Sequence, residues 1–205
     1  MEDALLAGVA AFDAGQYEAA SDVWSASTSE ADAAGDSDAG LRAALADYAS
    51  VVADGRADNF DGLADRAKHA RESLARLDGH RDVGVAAARD FLATVAADPE
   101  VLERRRPPHI TVDGERVARS DLDISAVFAL APALAEALGY DAEPVAQGVA
   151  YARADLEAGE EGSQFVTLVY DVVTDDEMRP VAYQRLTERV ERREAREKDV
   201  EGLFG

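Results

Sequence analysis

Apolar residues return every three to four positions along most of this chain, the period of an α-helix with one buried face. Leu5, Val9 and Phe12 set the first stripe, and Gly15 ends it. Tyr17, Ala20 and Trp24 line one face of a second helix. From Ser25 to Gly40 the sequence turns to Ala, Asp, Ser and Gly, which predicts a loop with a frayed helix end. Leu41, Leu45, Tyr48 and Val52 form a third stripe that ends near Gly55. Phe60, Leu63, Ala67, Ala70, Leu74 and Leu77 form a fourth. Asp58 and Asp61 sit where a helix start wants acceptors and negative charge. Val85, Ala88, Leu92 and Val95 predict a fifth helix, closed by Asp98-Pro99.

The pattern breaks at Arg104-Arg105-Arg106-Pro107-Pro108. Two prolines cannot continue a helix, so a boundary is expected there. Ile110 to Val117 holds Asp113-Gly114 between short alternating runs, the signature of a hairpin with a two-residue turn. Such a turn puts Ile110, Val112, Glu115 and Val117 on one face, expected to lie on the helices. Helical period resumes with Ile124, Val127, Ala131, Leu134 and Leu138; Pro132 either kinks that helix or begins it, and Gly139 stops it. Val145, Val149, Ala152 and Leu156 mark the next, ended around Gly159. Phe165 to Val173 is β-branched enough for a strand. Ser163, Thr167 and Asp171 nevertheless recur every four residues, so a helix is predicted, with Ser163 as its N-cap. The last helix carries Tyr183, Leu186 and Val190, then becomes all charge, with Glu188–Arg192 and Glu194–Lys198 at ion-pair spacing. Val200, Leu203 and Phe204 turn apolar again, and either fold back on the core or dock on another subunit. The expected fold is all-α, a multi-helix bundle of helical hairpins with one small β-hairpin near 110–117. It would comprise a helical core over 1–103, an Arg/Pro linker and hairpin over 104–118, and a C-terminal helical part over 119–205 packed on the core.

Composition changes the picture mainly through charge. Among 205 residues, 42 acidic side chains face 21 basic ones, for a net charge of −21. Lys68 and Lys198 are the only lysines. So large a charge repels itself, and multimolar salt, with a Debye length of ~3 Å or less, screens that repulsion. The lysine-poor acidity resembles that of a haloarchaeal cytosolic protein. Apolar residues at 47%, regularly spaced, speak for a folded chain rather than an acidic disordered one. No cysteine is present, so disulfides and thiolate chemistry are out. No apolar run approaches a membrane span, and Met1 leads straight into acidic residues without a signal peptide, so a cytoplasmic location is expected.

Gly8, Phe12, Gly15, Tyr17 and Ala20 have the small–aromatic–small spacing of a helical hairpin of the tetratricopeptide kind, without a second copy at a fixed period. Gly15 frees the turn, Tyr17 wedges the two helices and Ala20 lets them approach. The run from Gly15 to Trp24 resembles more closely the family named "domain of unknown function 309". Its members usually read G-x-Y-x-x-A-H-E, or A-H-D in halophile versions, and Gly15, Tyr17, Ala20, Asp22 and Trp24 match. Ala44-Leu45-Ala46-Asp47 stands for the family's G-L-I-Q helix, and Asn59 with Gly62 for its Asn/Gly turn. Tyr183-Gln184-Arg185-Leu186 and Val200-Glu201-Gly202-Leu203-Phe204 also look like halophile members. The core likeness covers roughly Phe12 to Leu77 and implies a small helical fold and no reaction. The family's histidine falls at Ser21, its second glutamate at Ser25 and its glutamine at Asp47. A histidine with two acids one turn apart suits metal binding or acid–base work, and of that set this chain keeps only Asp22.

Asp65, His69 and Glu72 share a helical face at spacings a metal can use, but in so acidic a chain they read as a solvated face. His80 and His109 are scattered. There is no nucleophile elbow, phosphate loop, dinucleotide fingerprint or zinc helix. Arg104–Arg106 and the cluster Arg189, Arg192, Arg193, Arg196 and Lys198 are local basic patches. Glu188, Glu191, Glu194 and Glu197 interleave the second, which therefore reads as self-paired, with no nucleic-acid partner expected. The leading expectation is a non-enzymatic interaction module that binds a protein or small ligand near Tyr17, Ser21, Asp22, Trp24, Asp47, Tyr48 and Asn59, as a monomer or homodimer. No catalytic residue, metal or cofactor is assigned. The alternative is a metal-assisted hydrolase with a degenerate site, in which Asp22, Asp47 and Asn59 are the remaining polar groups.

Overall fold

The computed structural model describes residues 2–34, 38–77, 82–160 and 162–204, and their side chains apart from 29–34 and 200–204. Helix α1 (Glu2–Asp13) turns into α2 (Tyr17–Ala34) through Gly15, whose φ of 84° only glycine adopts freely. The Gly15 N–H donates to the Phe12 carbonyl at 2.9 Å and the Gln16 N–H to that of Ala11 at 2.9 Å, so the last carbonyls of α1 are satisfied and the chain reverses at once. The predicted loop after Ser25 is a helix as far as Ala34. Its alanines favour helix, and the Ser27 and Thr28 hydroxyls donate back to the Trp24 carbonyl at 2.9 and 2.7 Å instead of breaking the ladder.

Helix α3 (Ala39–Arg56) ends as α1 does, with Asp58 in the left-handed region at φ 57° and the Asn59 N–H donating to the Asp54 carbonyl at 2.9 Å. Asp58 therefore closes α3, where it was expected to open α4 (Leu63–Ala75). The α4 cap is Gly62, without a side-chain hydrogen bond. Helices α1 to α5 (Ala86–Ala97) pack in chain order, each on the next, apart from a two-residue strand β1 (Val83–Gly84) before α5. Leu5, Phe12, Trp24, Leu45, Tyr48, Leu63, Leu74 and Leu92 fill the layer between them.

A short α6 (Val101–Arg104) precedes the prolines. Strands β2 (Thr111–Val112) and β3 (Glu115–Arg116) form the expected hairpin, with Val112 opposite Glu115. Asp113 and Gly114, at φ 53° and 79°, make the turn whose twist suits a hairpin. β1 adds a third antiparallel strand, pairing Val83 with Val112, which two residues of local pattern could not signal. The chain's contacts divide after Leu122, not at the prolines: one unit runs Met1–Leu122, the other Asp123–Gly205. Fully buried Ile110, its N–H donating to the Asp13 carboxylate at 3.1 Å, ties the hairpin into the first unit.

The second unit is helical throughout. Asp123 caps α7 (Ile124–Ala137), Asp141 caps α8 (Ala142–Glu157), and Ser163, as predicted, caps α9 (Gln164–Thr174). Pro132 lies inside α7 and does not begin it. The run from Phe165 to Val173 is helical, burying Phe165, Val169, Val172 and Val173 against α7, α8 and α10 (Arg179–Phe204). Leu156, expected on the buried stripe of α8, is 39% exposed. Arg179 is buried and donates from Nε to the Val172 carbonyl at 2.7 Å, satisfying the end of α9. The side chains of Val200, Leu203 and Phe204 lie outside the described residues. Among the described residues the fold is all-α with a three-stranded antiparallel sheet, and no helix is long and apolar enough to cross a membrane.

Candidate functional site

The sequence-predicted residues fall into four settings. Trp24 is core: fully buried, it donates from Nε1 to the Leu5 carbonyl at 3.3 Å and leaves room for no more than a glycine at position 8. Ser21 is an interhelical tie, its hydroxyl donating to the Ala46 carbonyl at 3.2 Å. Asp22, Asp47 and Asn59 are exposed. The Asp47 carboxylate faces His69 at 3.9 Å; burial raises its pKa while His69 pulls it down. Asn59 donates from Nδ2 to Asp54 at 3.1 Å. Asp47 and Asn59 have different partners. Asp65 and His69 expose most of their side chains. His80 lies outside the described residues, and among those described no group of three ligating side chains could hold a metal.

Tyr17 and Tyr48 do come together, around Phe12. The Phe12 ring meets Tyr17 edge-on at 5.0 Å and Tyr48 at 4.8 Å. Beside this cluster a cleft of about 430 Å³ opens at the end of the first hairpin, within the usual size of a small-ligand site. Its walls are Phe12 to Gly15, Tyr17, Arg56 at the end of α3, and the extended run Arg106 to His109. The two prolines that stop a helix thus form a stiff wall.

Asp13 sits at the back of the cleft. Its side chain is only 6% exposed; Oδ1 accepts the Ile110 N–H, while Oδ2 lies 3.1 Å from His109 Nδ1 and 3.5 Å from Arg116 Nε. Neither of those approaches has hydrogen-bond geometry, and among the described residues the buried Oδ2 has no hydrogen-bond partner. The Tyr48 hydroxyl, fully buried, is likewise without one. Arg116 Nη2 also reaches His109 Nδ1, at 3.1 Å, so a single ring nitrogen is shared between a carboxylate and a guanidinium.

The mouth of the cleft is cationic. Arg56 is held by the Arg105 carbonyl at 3.1 Å, and Arg106 forms no ion pair among the described residues. Both act on Tyr17: burial raises its hydroxyl pKa, Arg56 and Arg106 pull it back, and Asp13 adds to the rise. Burial, then Tyr17 and Asp13, push the Tyr48 hydroxyl well above its ordinary range. Two tyrosines, a buried carboxylate and three guanidiniums therefore converge on one end of the hairpin. In a chain with twice as many acids as bases, this corner carries an excess of positive charge.

Sequence reasoning found Tyr17 and Tyr48 and missed Asp13, Arg56, Arg106 and His109. Asp13 carried one local signal: it is an acid in the last turn of a helix, where the dipole disfavours negative charge. Comparisons with protein-family models, curated proteins and solved structures match nothing for this chain.

Proposed function

We propose that this protein is a non-enzymatic helical binding module, and that the hairpin-end cleft holds a small organic anion with an apolar body. The observation that carries the reading is the guanidinium of Arg106, without an ion pair among the described residues, in one cleft with Tyr17 and with the wall of Phe12, Pro107 and Pro108. Arg106 and Arg56 would take the anionic group, and the aromatic and proline wall the apolar body. Asp13 makes the back wall unsuited to a second negative charge, which favours a monoanion. The support for resemblance to the "domain of unknown function 309" family is the hairpin from Gly8 to Trp24. A salt-rich cytosol as working compartment is likewise a proposal, supported by the charge balance.

The test is thermal denaturation in fixed high KCl with benzoate or with benzylammonium, two probes of similar shape and opposite charge. Benzoate should raise the melting temperature and benzylammonium should not. Ligand at about 100 times its Kd would add ~2.7 kcal/mol, an easily read shift. Arg106→Ala should abolish the benzoate effect. Equal stabilisation by both probes, or none by benzoate, would refute the proposal.

A further inference from the structure

The second unit carries a separate cationic surface. Helix α10 places Arg185, Arg189, Arg192 and Arg196 at successive steps of four, three and four residues, one stripe of a helix rising about 16 Å. Two adjoining cavities, of about 770 and 620 Å³, lie along it and share Gly162, Gln164 and Arg189. Among the described residues none of these four arginines forms an ion pair. Like charges at this spacing destabilise a helix, and carboxylates to relieve them are plentiful in this chain. With Arg193, five guanidiniums line the two cavities against four carboxylates, Asp155, Glu160, Asp171 and Glu197.

A rigid layer supports the stripe. Buried Asp155 accepts from the Ser163 hydroxyl at 2.6 Å and from Arg193 Nη1 at 2.7 Å. Arg193 in turn lies 4.2 Å over the Tyr151 ring and 5.5 Å over Phe165, while Arg189 lies 5.7 Å over Phe165. Glu197 is occupied by the Tyr151 hydroxyl at 2.8 Å and by Arg193 at 3.3 Å. The aromatic faces are therefore already covered by guanidiniums and offer no platform for a nucleobase. What remains is a row of planar forks suited to tetrahedral oxyanions in sequence.

We propose that this arginine groove binds a short chain of condensed phosphates, recognised without a base. The site is independent of the hairpin-end cleft. The free oligophosphate and the phosphate tail of a nucleotide share this chemistry, and titration calorimetry on the full chain separates them. The probes are tripolyphosphate, ATP and AMP, with citrate as the carboxylate control, at matched ionic strength. Tripolyphosphate should bind saturably at one per chain, with ATP close to it and with AMP and citrate at least about tenfold weaker, a difference of ~1.4 kcal/mol. Arg189→Gln with Arg196→Gln should weaken tripolyphosphate about tenfold or more, and Arg192→Gln should weaken it less, with helical dichroism unchanged. Arg106→Ala should leave it as it is, so the two sites fail or stand separately. Citrate binding as well as tripolyphosphate, ATP binding more than tenfold tighter, indifference to the arginine variants or no saturable binding would each overturn the proposal.

Discussion

Gly8 tests the packing of the first hairpin at one atom. A Cβ built there would lie 2.3 Å from both Cε2 and Nε1 of Trp24, a separation real Cβ atoms do not tolerate. The indole is fully buried and tied to the Leu5 carbonyl, and a flat rigid ring cannot give way as a flexible side chain does. Two effects compete in Gly8→Ala. Helix propensity favours alanine by ~1 kcal/mol. Overpacking a filled core costs ~1–3 kcal/mol, and loss of the indole hydrogen bond about 1 more. The substitution should therefore destabilise the first unit by ~1–3 kcal/mol net, against its propensity. Trp24→Leu, which opens the space, should cost about 2–4 kcal/mol, less than the ~3–5 of full truncation. In that background Gly8→Ala should change sign and stabilise by up to ~1 kcal/mol. Urea unfolding of all four proteins by far-UV dichroism, with Trp24 fluorescence for the two that keep it, measures the cycle. A Gly8→Ala protein as stable as the parent, or an equal cost in both backgrounds, would refute the reasoning.

Tyr48→Phe removes a buried hydroxyl that has no hydrogen-bond partner among the described residues, so stability should hold or rise by up to ~1 kcal/mol; a loss by urea unfolding would contradict that. Burial works to raise the Asp155 pKa, but Ser163 and Arg193 outweigh it and bring it below 3.8. A lowered carboxylate contributes stability that is complete above its unfolded value and lost as pH falls through the folded one. The second unit should therefore weaken as pH falls below the ordinary aspartate range, and Asp155→Asn should flatten that dependence in acid-titrated dichroism; an unchanged profile contradicts it. Asp155→Ala strands Arg193, whose side chain is 28% exposed, so urea unfolding should show a cost of about 2–3 kcal/mol, under the ~3–5 of a fully buried broken pair. Melting temperature should climb with KCl from low to multimolar concentration, and a flat or falling curve would remove the support for a salt-adapted chain.

Local chemistry was legible wherever one turn or one face decides the outcome. Gly15, Asp113-Gly114 and Ser163 each fix a backbone geometry that a few residues determine. Ser25 to Ala34 was misread because Ser and Thr suit both loops and back-bonded helices, and only the Trp24 carbonyl decides which. Asp58 was misread because an aspartate before a helix can equally end the one preceding it.

The sequence by itself determined a helical chain, its turns, its hairpin and a large negative charge, since these depend on period, on φ and on composition. The tertiary structure alone decided which charges meet. Asp13 and Ile110 are 97 positions apart, and Asp155 and Arg193 are 38 apart. No local pattern encodes such a pairing, because the energy that places it comes from packing whole helices. Tyr17 was thus found from its turn, whereas the arginines around it became a cleft only when α3 and the proline run were folded beside it.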